Sequence, residues 1–139
     1  MRLLGIDLGS KNIGIAVSDG LGITVRPVET IRRSSLNRDL ERLQFLIADL
    51  EVEGVVIGLP LKMDGSEGDA AEKVLQFIKQ LGAKIDIPIF TQDERLTSYE
   101  AEQLMMERGW NRQQRKSRSD EIAAMIILQD YLSQTTKNS

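Results

Sequence analysis

The order of strand-like and helix-like segments limits the fold more than any other feature of this sequence. Residues 3–8 form a short apolar run, and residues 13–17 alternate between large apolar and small side chains; both patterns are typical of buried strands. The short link at residues 9–12 predicts an antiparallel hairpin. A turn at Asp19 then leads into a third strand at about residues 23–31, so the chain opens with a three-stranded meander.

From residue 36 onward, helical periodicity alternates with short apolar strands. The predicted segments are helix 36–50, strand 55–59, helix 71–81, strand 87–91, helix 97–108 and a C-terminal helix that carries Ala123, Ala124, Ile127, Leu128 and Tyr131. Gly54 and Gly82 follow the first two helices, where C-terminal caps are expected. This alternation favours parallel strands, so the sequence predicts an α/β fold with a five-stranded mixed sheet flanked by about four helices. We expect one domain over residues 1–139, with a frayed tail at residues 133–139.

Composition excludes several kinds of chemistry. The chain has neither cysteine nor histidine, so it lacks thiol nucleophiles, thiolate metal sites and imidazole bases. Hydrolysis would have to rely on carboxylates, amines, hydroxyls or bound hard metal ions. The net charge of −3 argues against a broadly basic nucleic-acid coat, and the apolar runs are too short to cross a bilayer. We therefore expect a cytoplasmic protein that does not enter the membrane.

Asp7 is an acidic residue in an apolar environment. It lies inside the first strand and shares a strand face with Leu3 and Gly5. Burial of an unpaired charge costs on the order of several kcal/mol, so such a carboxylate is usually hydrogen-bonded, paired or bound to a cation. Gly5 would leave room for a ligand beside it. The alternative is an ordinary aspartate turn at the strand end.

Glu94 and Asp120 are two further acidic candidates. Glu94 directly follows the last predicted strand, at the edge where ligand crevices open in α/β sheets; a solvated acidic loop is the alternative. Asp120 shares the inward stripe of the C-terminal helix with Ala124. Its alternative is a capping carboxylate, because Ser117 and Asp120 have capping-box spacing. Glu121 is a reserve candidate.

Three acids from separate segments would suit one site if the fold brings them together. Oxygen ligands without histidine or cysteine favour Mg²⁺ or Mn²⁺ over zinc. Two such ions can activate water and stabilise the leaving oxygen in phosphodiester hydrolysis, and they let an acidic protein approach a polyanion. We therefore predict that Asp7, Glu94 and Asp120 are the metal ligands and catalytic residues of a nuclease.

Basic residues near Asp120 are the main candidates for nucleic-acid contact. The stretch of residues 108–119 contains no acid, although the chain as a whole is acidic. Its basic residues are Arg108, Arg112, Arg115, Lys116 and Arg118. Trp110 beside them could stack on a base or serve as a hydrophobic anchor.

Three further basic residues are candidates for phosphate contact. Lys11 lies in the first hairpin turn, Lys62 lies in a glycine-rich loop at residues 58–68, and Arg95 follows Glu94. The helix after the loop could also receive a phosphate at its N-terminus. The alternative for both basic segments is a solvated surface loop.

Four segments of the sequence together resemble the YqgF family, which is also called RuvX. They are GIDLGSKNIGIAVSD at residues 5–19, VIGLPLKMDG at 56–65, DERLT at 93–97 and SDEIAA at 119–124. Members of the family are described as Holliday junction resolvases and as the nuclease that matures the 5′ end of pre-16S rRNA. The resemblance implies an RNase H-like fold related to the RuvC-type resolvases, with an acidic site at Asp7, Glu94 and Asp120.

The sequence leaves several functions open. The resemblance favours processing of precursor rRNA, with cleavage of branched DNA as the alternative, and symmetric cutting of a junction would require a homodimer. Residues 6–11 are also similar to the first phosphate loop of actin-like ATPases, but the 139 residues contain neither a second such domain nor a second phosphate loop. A binding module without catalysis is the remaining alternative.

Overall fold

A computed structural model describes residues 1–94, 103 and 106–137, apart from the side chains of residues 112, 114–117 and 136–137. The strands are β1 Leu3–Leu8, β2 Asn12–Ser18, β3 Val25–Arg32, β4 Gly54–Leu59 and β5 Ile89–Asp93, and the helices are α1 Leu36–Asp49, α2 Asp69–Gly82 and α3 Arg112–Lys137. The helix predicted at residues 97–108 lies largely outside the described residues. None of the helices in the described ranges is both long enough and apolar enough to span a membrane.

The five strands form one mixed sheet in the order β3-β2-β1-β4-β5. β2 is antiparallel to both β1 and β3, whereas β4 is parallel to both β1 and β5. The predicted α/β architecture is therefore confirmed. Because β1, β4 and β5 run in the same direction, their ends at Leu8, Leu59 and Asp93 meet at one side of the sheet, which we call the carboxyl edge.

Helices cover both faces of the sheet. α1 and α2 pack on one face, where Ile6, Leu43 and Phe77 are buried in the larger core. α3 packs on the opposite face, where Val56 and Ile127 are buried in a smaller core. Full burial of each such side chain stabilises the fold by about 1.5–3 kcal/mol, so these cores determine which face every strand residue occupies.

Two glycines allow α3 to lie close to the sheet. A Cβ atom on Gly5 would lie 2.8 Å from the carbonyl oxygen of Ala124, and a Cβ atom on Gly14 would overlap the carbonyl oxygen of Asp120. The helix backbone therefore fills the space above Gly5. We predicted this space to be open for a ligand, and that prediction is wrong.

Two predicted helix caps are also wrong. α1 ends with Leu50 as its C-cap and with Glu51 in the left-handed region at φ 55°, while Gly54 already begins β4. A Cβ atom on Gly54 would lie 2.8 Å from the Leu3 side chain, so close packing explains the glycine there. Gly82 is the last residue of α2 and not the residue beyond it.

α3 continues further than its apolar pattern indicated. It extends to Lys137, so residues 133–137 are helical where we predicted a frayed tail. The Thr135 hydroxyl donates a 2.9 Å hydrogen bond to the carbonyl oxygen of Tyr131 in this last part. Each residue added to the end of an existing helix forms one more backbone hydrogen bond. This stabilisation does not require apolar side chains, so the apolar pattern does not indicate where the helix ends.

Candidate active site

Two acidic side chains meet at the carboxyl edge, on the face covered by α3. Asp7 is next to last in β1, and Glu94 is the first residue after β5. Strand alternation places Asp7 on the same face as Leu3, as predicted, and Leu3 packs against Ile127 and Leu128 of α3. The two carboxyl groups share a hydrogen bond, although β4 lies between their strands. We call Asp7 and Glu94 the acidic pair.

Gly58 makes this contact across β4 possible. In the strand register it lies between Asp7 on β1 and the end of β5. A Cβ atom on Gly58 would lie 2.5 Å from Cδ1 of Ile127 and 2.7 Å from Oε2 of Glu94, so the glycine leaves room for the Ile127 side chain and for the Glu94 carboxyl group. Gly58 belongs to β4, as the predicted strand at residues 55–59 implies, so the glycine-rich loop begins later than the predicted residue 58. A glycine in a strand can have any of several roles, and only the packed structure shows which one applies here.

Burial raises the pKa values of both carboxyl groups. For Asp7 it raises the pKa to about 6; the hydrogen bond from Glu94 lowers this value and the charge of Asp120 raises it. For Glu94, burial raises the pKa to about 8, with contributions from the charge of Asp7, from the hydrogen bond that Glu94 donates to it, and from the charge of Asp93. At neutral pH the pair therefore retains a proton, because a second negative charge is unfavourable there.

The charge of Asp120 contributes to the raised pKa of Asp7. The Asp120 backbone packs over Gly14, which is the partner of Asp7 in β2. Among residues 1–94, 103 and 106–137, no three acidic side chains are close enough together to hold one ion as they stand. Because α3 begins at Arg112, Asp120 lies inside the helix, and the alternative of a capping carboxylate is wrong.

The donor atoms of this site suit a hard divalent cation. Within the described part of the chain, no lysine or arginine forms an ion pair with Asp7 or Glu94. Carboxylate oxygens are the ligands that Mg²⁺ and Mn²⁺ prefer. Such a cation would replace the shared proton and offset a repulsion that burial strengthens. The acidic pair therefore fits a metal site to which Asp120 could contribute.

The predicted nucleic-acid contacts lie in two regions. Lys11 and Lys62 are exposed in the connections that follow β1 and β4, so both lie near the carboxyl edge. Arg118 is exposed on α3, two residues before Asp120. Arg95 lies outside the described residues. The side chains of Arg112, Arg115 and Lys116 also lie outside them, while their backbones form the start of α3.

Trp110 packs against the protein itself. The half-buried ring contacts the core around Ile122 and Met125, and the guanidinium of Arg118 lies 5.1 Å from the ring centroid. Arg118 also lies 3.4 Å from Glu121, so this reserve candidate takes part in an ion pair on the helix. These contacts favour an anchoring role for Trp110 over base stacking.

The mixed five-stranded sheet, with helices on both faces and acidic side chains at its carboxyl edge, has the RNase H-like fold. The model of the RuvX family, described as "Holliday junction resolvase", matches residues 1–134. The chain belongs to the RuvX family.

Relatives and a solved structure agree with this assignment. A protein of Natranaerobius thermophilus, named "Putative pre-16S rRNA nuclease", is 46% identical over 140 residues, which cover 100% of this chain and 99% of the relative. A Desulforamulus reducens protein of the same name is 43% identical over 137 residues, which cover 99% of this chain and 100% of the relative. The structure of "T. thermophilus RuvC in complex with Holliday junction substrate" has a TM-score of 0.60 at 15% identity, covering 98% of this chain and 96% of that one. It shows that the fold is shared.

The metal-free protein should lose stability as the pH rises. A raised pKa means that the folded state holds its proton more tightly than the unfolded chain, in which the pKa values are 3.8 for Asp7 and 4.5 for Glu94. The stabilising contribution of the acidic pair is therefore complete below these values and is lost as the pH rises through about 6 and about 8. Glutamine cannot lose this proton, so Glu94→Gln should remove most of the dependence.

Urea unfolding in EDTA at about pH 5.5 and about pH 8.5 measures this effect. From about pH 5.5 to about pH 8.5, the unfolding free energy of wild type should fall by about 1–3 kcal/mol more than that of Glu94→Gln. Glu67→Gln, in the exposed loop before α2, is the matched control and should follow wild type. The same pH slope in Glu94→Gln and wild type would contradict the raised pKa values.

Proposed function

We propose that Asp7, Glu94 and Asp120 are the catalytic residues of a nuclease that depends on Mg²⁺ or Mn²⁺. The observation that carries the proposal is the acidic pair, half-buried at the carboxyl edge with its pKa values raised. A buried pair of carboxylates is unfavourable without a cation, so binding one explains why the pair is tolerated. Membership of the RuvX family supports the same conclusion.

In this proposal, the carboxylate oxygens of the three acids hold the metal ions. When bound, such ions supply Lewis-acid activation of water and stabilisation of the leaving oxygen. Gly58 keeps Asp7 and Glu94 within reach of each other, and the close packing of α3 over Gly14 sets the position of Asp120. The chain itself therefore contributes the placement of three carboxylates at the boundary between core and solvent.

We further propose that the substrate is the precursor of 16S rRNA, cut in the cytoplasm to mature its 5′ end. The names of two relatives, 46% and 43% identical to this chain, support this assignment. Lys11 and Lys62, both exposed near the carboxyl edge, would hold phosphates on either side of the cut bond. Arg95, Arg112, Arg115, Lys116 and Arg118 would extend this contact.

Cleavage of a four-way DNA junction is the second candidate function. The description of the family model favours it. Symmetric cutting of a junction needs two active sites at a matching separation, so this function would also require a homodimer.

One experiment separates these possibilities. Purified protein with Mg²⁺ or Mn²⁺ is offered a 16S precursor RNA with its 5′ extension and, separately, a four-way DNA junction, with EDTA as the metal-free control. We expect metal-dependent cleavage of the RNA at one position and no cleavage of the junction. Glu94→Gln should be inactive, and Glu67→Gln should cleave like wild type. Cleavage of the junction alone would reverse the substrate assignment, and cleavage of neither substrate would contradict the proposal.

A further inference from the structure

A cleft opens near the acidic pair, on the other face of the sheet. Two adjoining cavities of about 580 and 380 Å³ share Leu8, Arg33, Asp69 and Lys73 in their walls. Pockets for small ligands have volumes of about 300–1,000 Å³. Leu8 directly follows Asp7 in β1, and successive strand side chains point to opposite faces. The cleft and the acidic pair therefore lie on opposite faces of the same carboxyl edge.

The position of the cleft fits a nucleic-acid strand that passes over this edge. Its walls include Gly9 and Ser10, which follow β1, and Pro60, which follows β4. In α/β sheets, ligands bind in crevices between loops of this kind. A strand whose cut bond lies at the acidic pair would cross these loops, so the cleft could receive a nucleotide close to the cut.

The uncharged part of the lining suits a nucleobase. Leu8, which is half-buried, provides apolar surface, and Gln76 and Gln80 contribute amide groups from α2. Each amide offers both hydrogen-bond donors and an acceptor, as the edge of a base does. Unpaired RNA bases are recognised by such a combination of apolar contact and edge hydrogen bonds.

The charged part of the lining is balanced. Arg33 and Lys73 occur together with Asp69 and Glu72, so the cleft lacks the positive field that a run of phosphates would need. Arg33 already lies 3.6 Å from Asp39. Lys73 forms no ion pair with any residue that the structure describes, so it is the cation available to a single phosphate.

We propose that this cleft binds an unpaired nucleotide of the RNA strand close to the cut bond, with its base against Leu8 and Gln76 and its phosphate at Lys73. The inference rests on the proposed function, because it takes the strand to be RNA that is cut at the acidic pair.

Binding of a fluorescein-labelled single-stranded oligoribonucleotide, measured by anisotropy in EDTA, tests the cleft without any cleavage. We expect Lys73→Ala and Gln76→Ala each to weaken binding about five- to tenfold. Ala70→Trp would fill the second cavity, so it should weaken RNA binding more than either of these variants does. Lys79→Ala removes the same charge from an exposed position of α2 outside the cleft and should change binding less than about twofold. Thermal unfolding shows that each variant is folded.

Three outcomes are informative. Equal binding by wild type, Lys73→Ala and Ala70→Trp would overturn the inference. Binding of free adenosine monophosphate as tightly as the oligonucleotide would also overturn it, because the cleft would then be a site for a free nucleotide. If the cleft variants bind RNA weakly and wild type binds RNA but never cuts it with Mg²⁺ or Mn²⁺, the cleft inference is supported and the proposed function fails.

Discussion

An Asp7→Asn protein is expected to remain folded and to lose about 10³-fold or more of its metal-dependent cleavage rate. A bound divalent ion supplies several kcal/mol of transition-state stabilisation, and each 1.36 kcal/mol corresponds to about tenfold in rate. Asparagine keeps the shape of the side chain, but it removes the negative charge on which metal binding depends. Single-turnover cleavage at saturating Mn²⁺ measures the loss.

Asp86→Asn is the matched control, because Asp86 is an exposed aspartate between α2 and β5. It should cleave at the wild-type rate. In EDTA at about pH 8, Asp7→Asn should also unfold at a higher urea concentration than wild type, because burial and the charge of Asp120 oppose ionisation of Asp7. Near-normal cleavage by Asp7→Asn would remove Asp7 from the catalytic site.

A Gly14→Ala protein is expected to be less stable than wild type by about 3 kcal/mol or more. The added Cβ atom would overlap the backbone carbonyl group of Asp120. Backbone atoms inside a helix cannot rotate away as the end of a side chain can, so α3 would have to move off the sheet. Urea unfolding measures the loss, and activity should also fall because Asp120 moves with the helix.

Gly20→Ala is the control for this prediction. A Cβ atom on Gly20 would meet nothing within 4 Å, and its φ is not in the left-handed region. We expect a change of less than about 0.5 kcal/mol, as for surface substitutions in general. Similar unfolding free energies for Gly14→Ala and Gly20→Ala would show that α3 does not depend on a glycine at this position.

Strand periodicity made part of the site predictable from the sequence. Successive side chains in a strand point to opposite faces of the sheet. The positions of residues 3, 5 and 7 therefore assign Asp7 to the same face as Leu3 and Gly5. Glu94 could be placed at the carboxyl edge for a similar reason, because a residue directly after a parallel strand lies there. These inferences needed only local geometry.

The roles of the glycines could not be predicted in the same way. Whether the space above a glycine is open or filled depends on which segment packs there, and that contact joins residues far apart in the chain. The sequence predicts space for a ligand above Gly5, but the structure places α3 there. Nothing in the sequence indicates that the Glu94 carboxyl group and the Ile127 side chain lie beside Gly58. Close approach of a helix backbone is a tertiary property with no periodic pattern in the sequence.

The most direct test of the metal site is a crystal structure of the protein with Mn²⁺, in which anomalous scattering locates the ions. We expect an anomalous peak about 2.0–2.2 Å from carboxylate oxygens of Asp7 and Glu94. We also expect Asp120 to bind the same ion or a second ion close by, and Glu94→Gln to abolish the peak. A peak held by other residues, with Asp7 and Glu94 still hydrogen-bonded to each other, would contradict the proposed metal site.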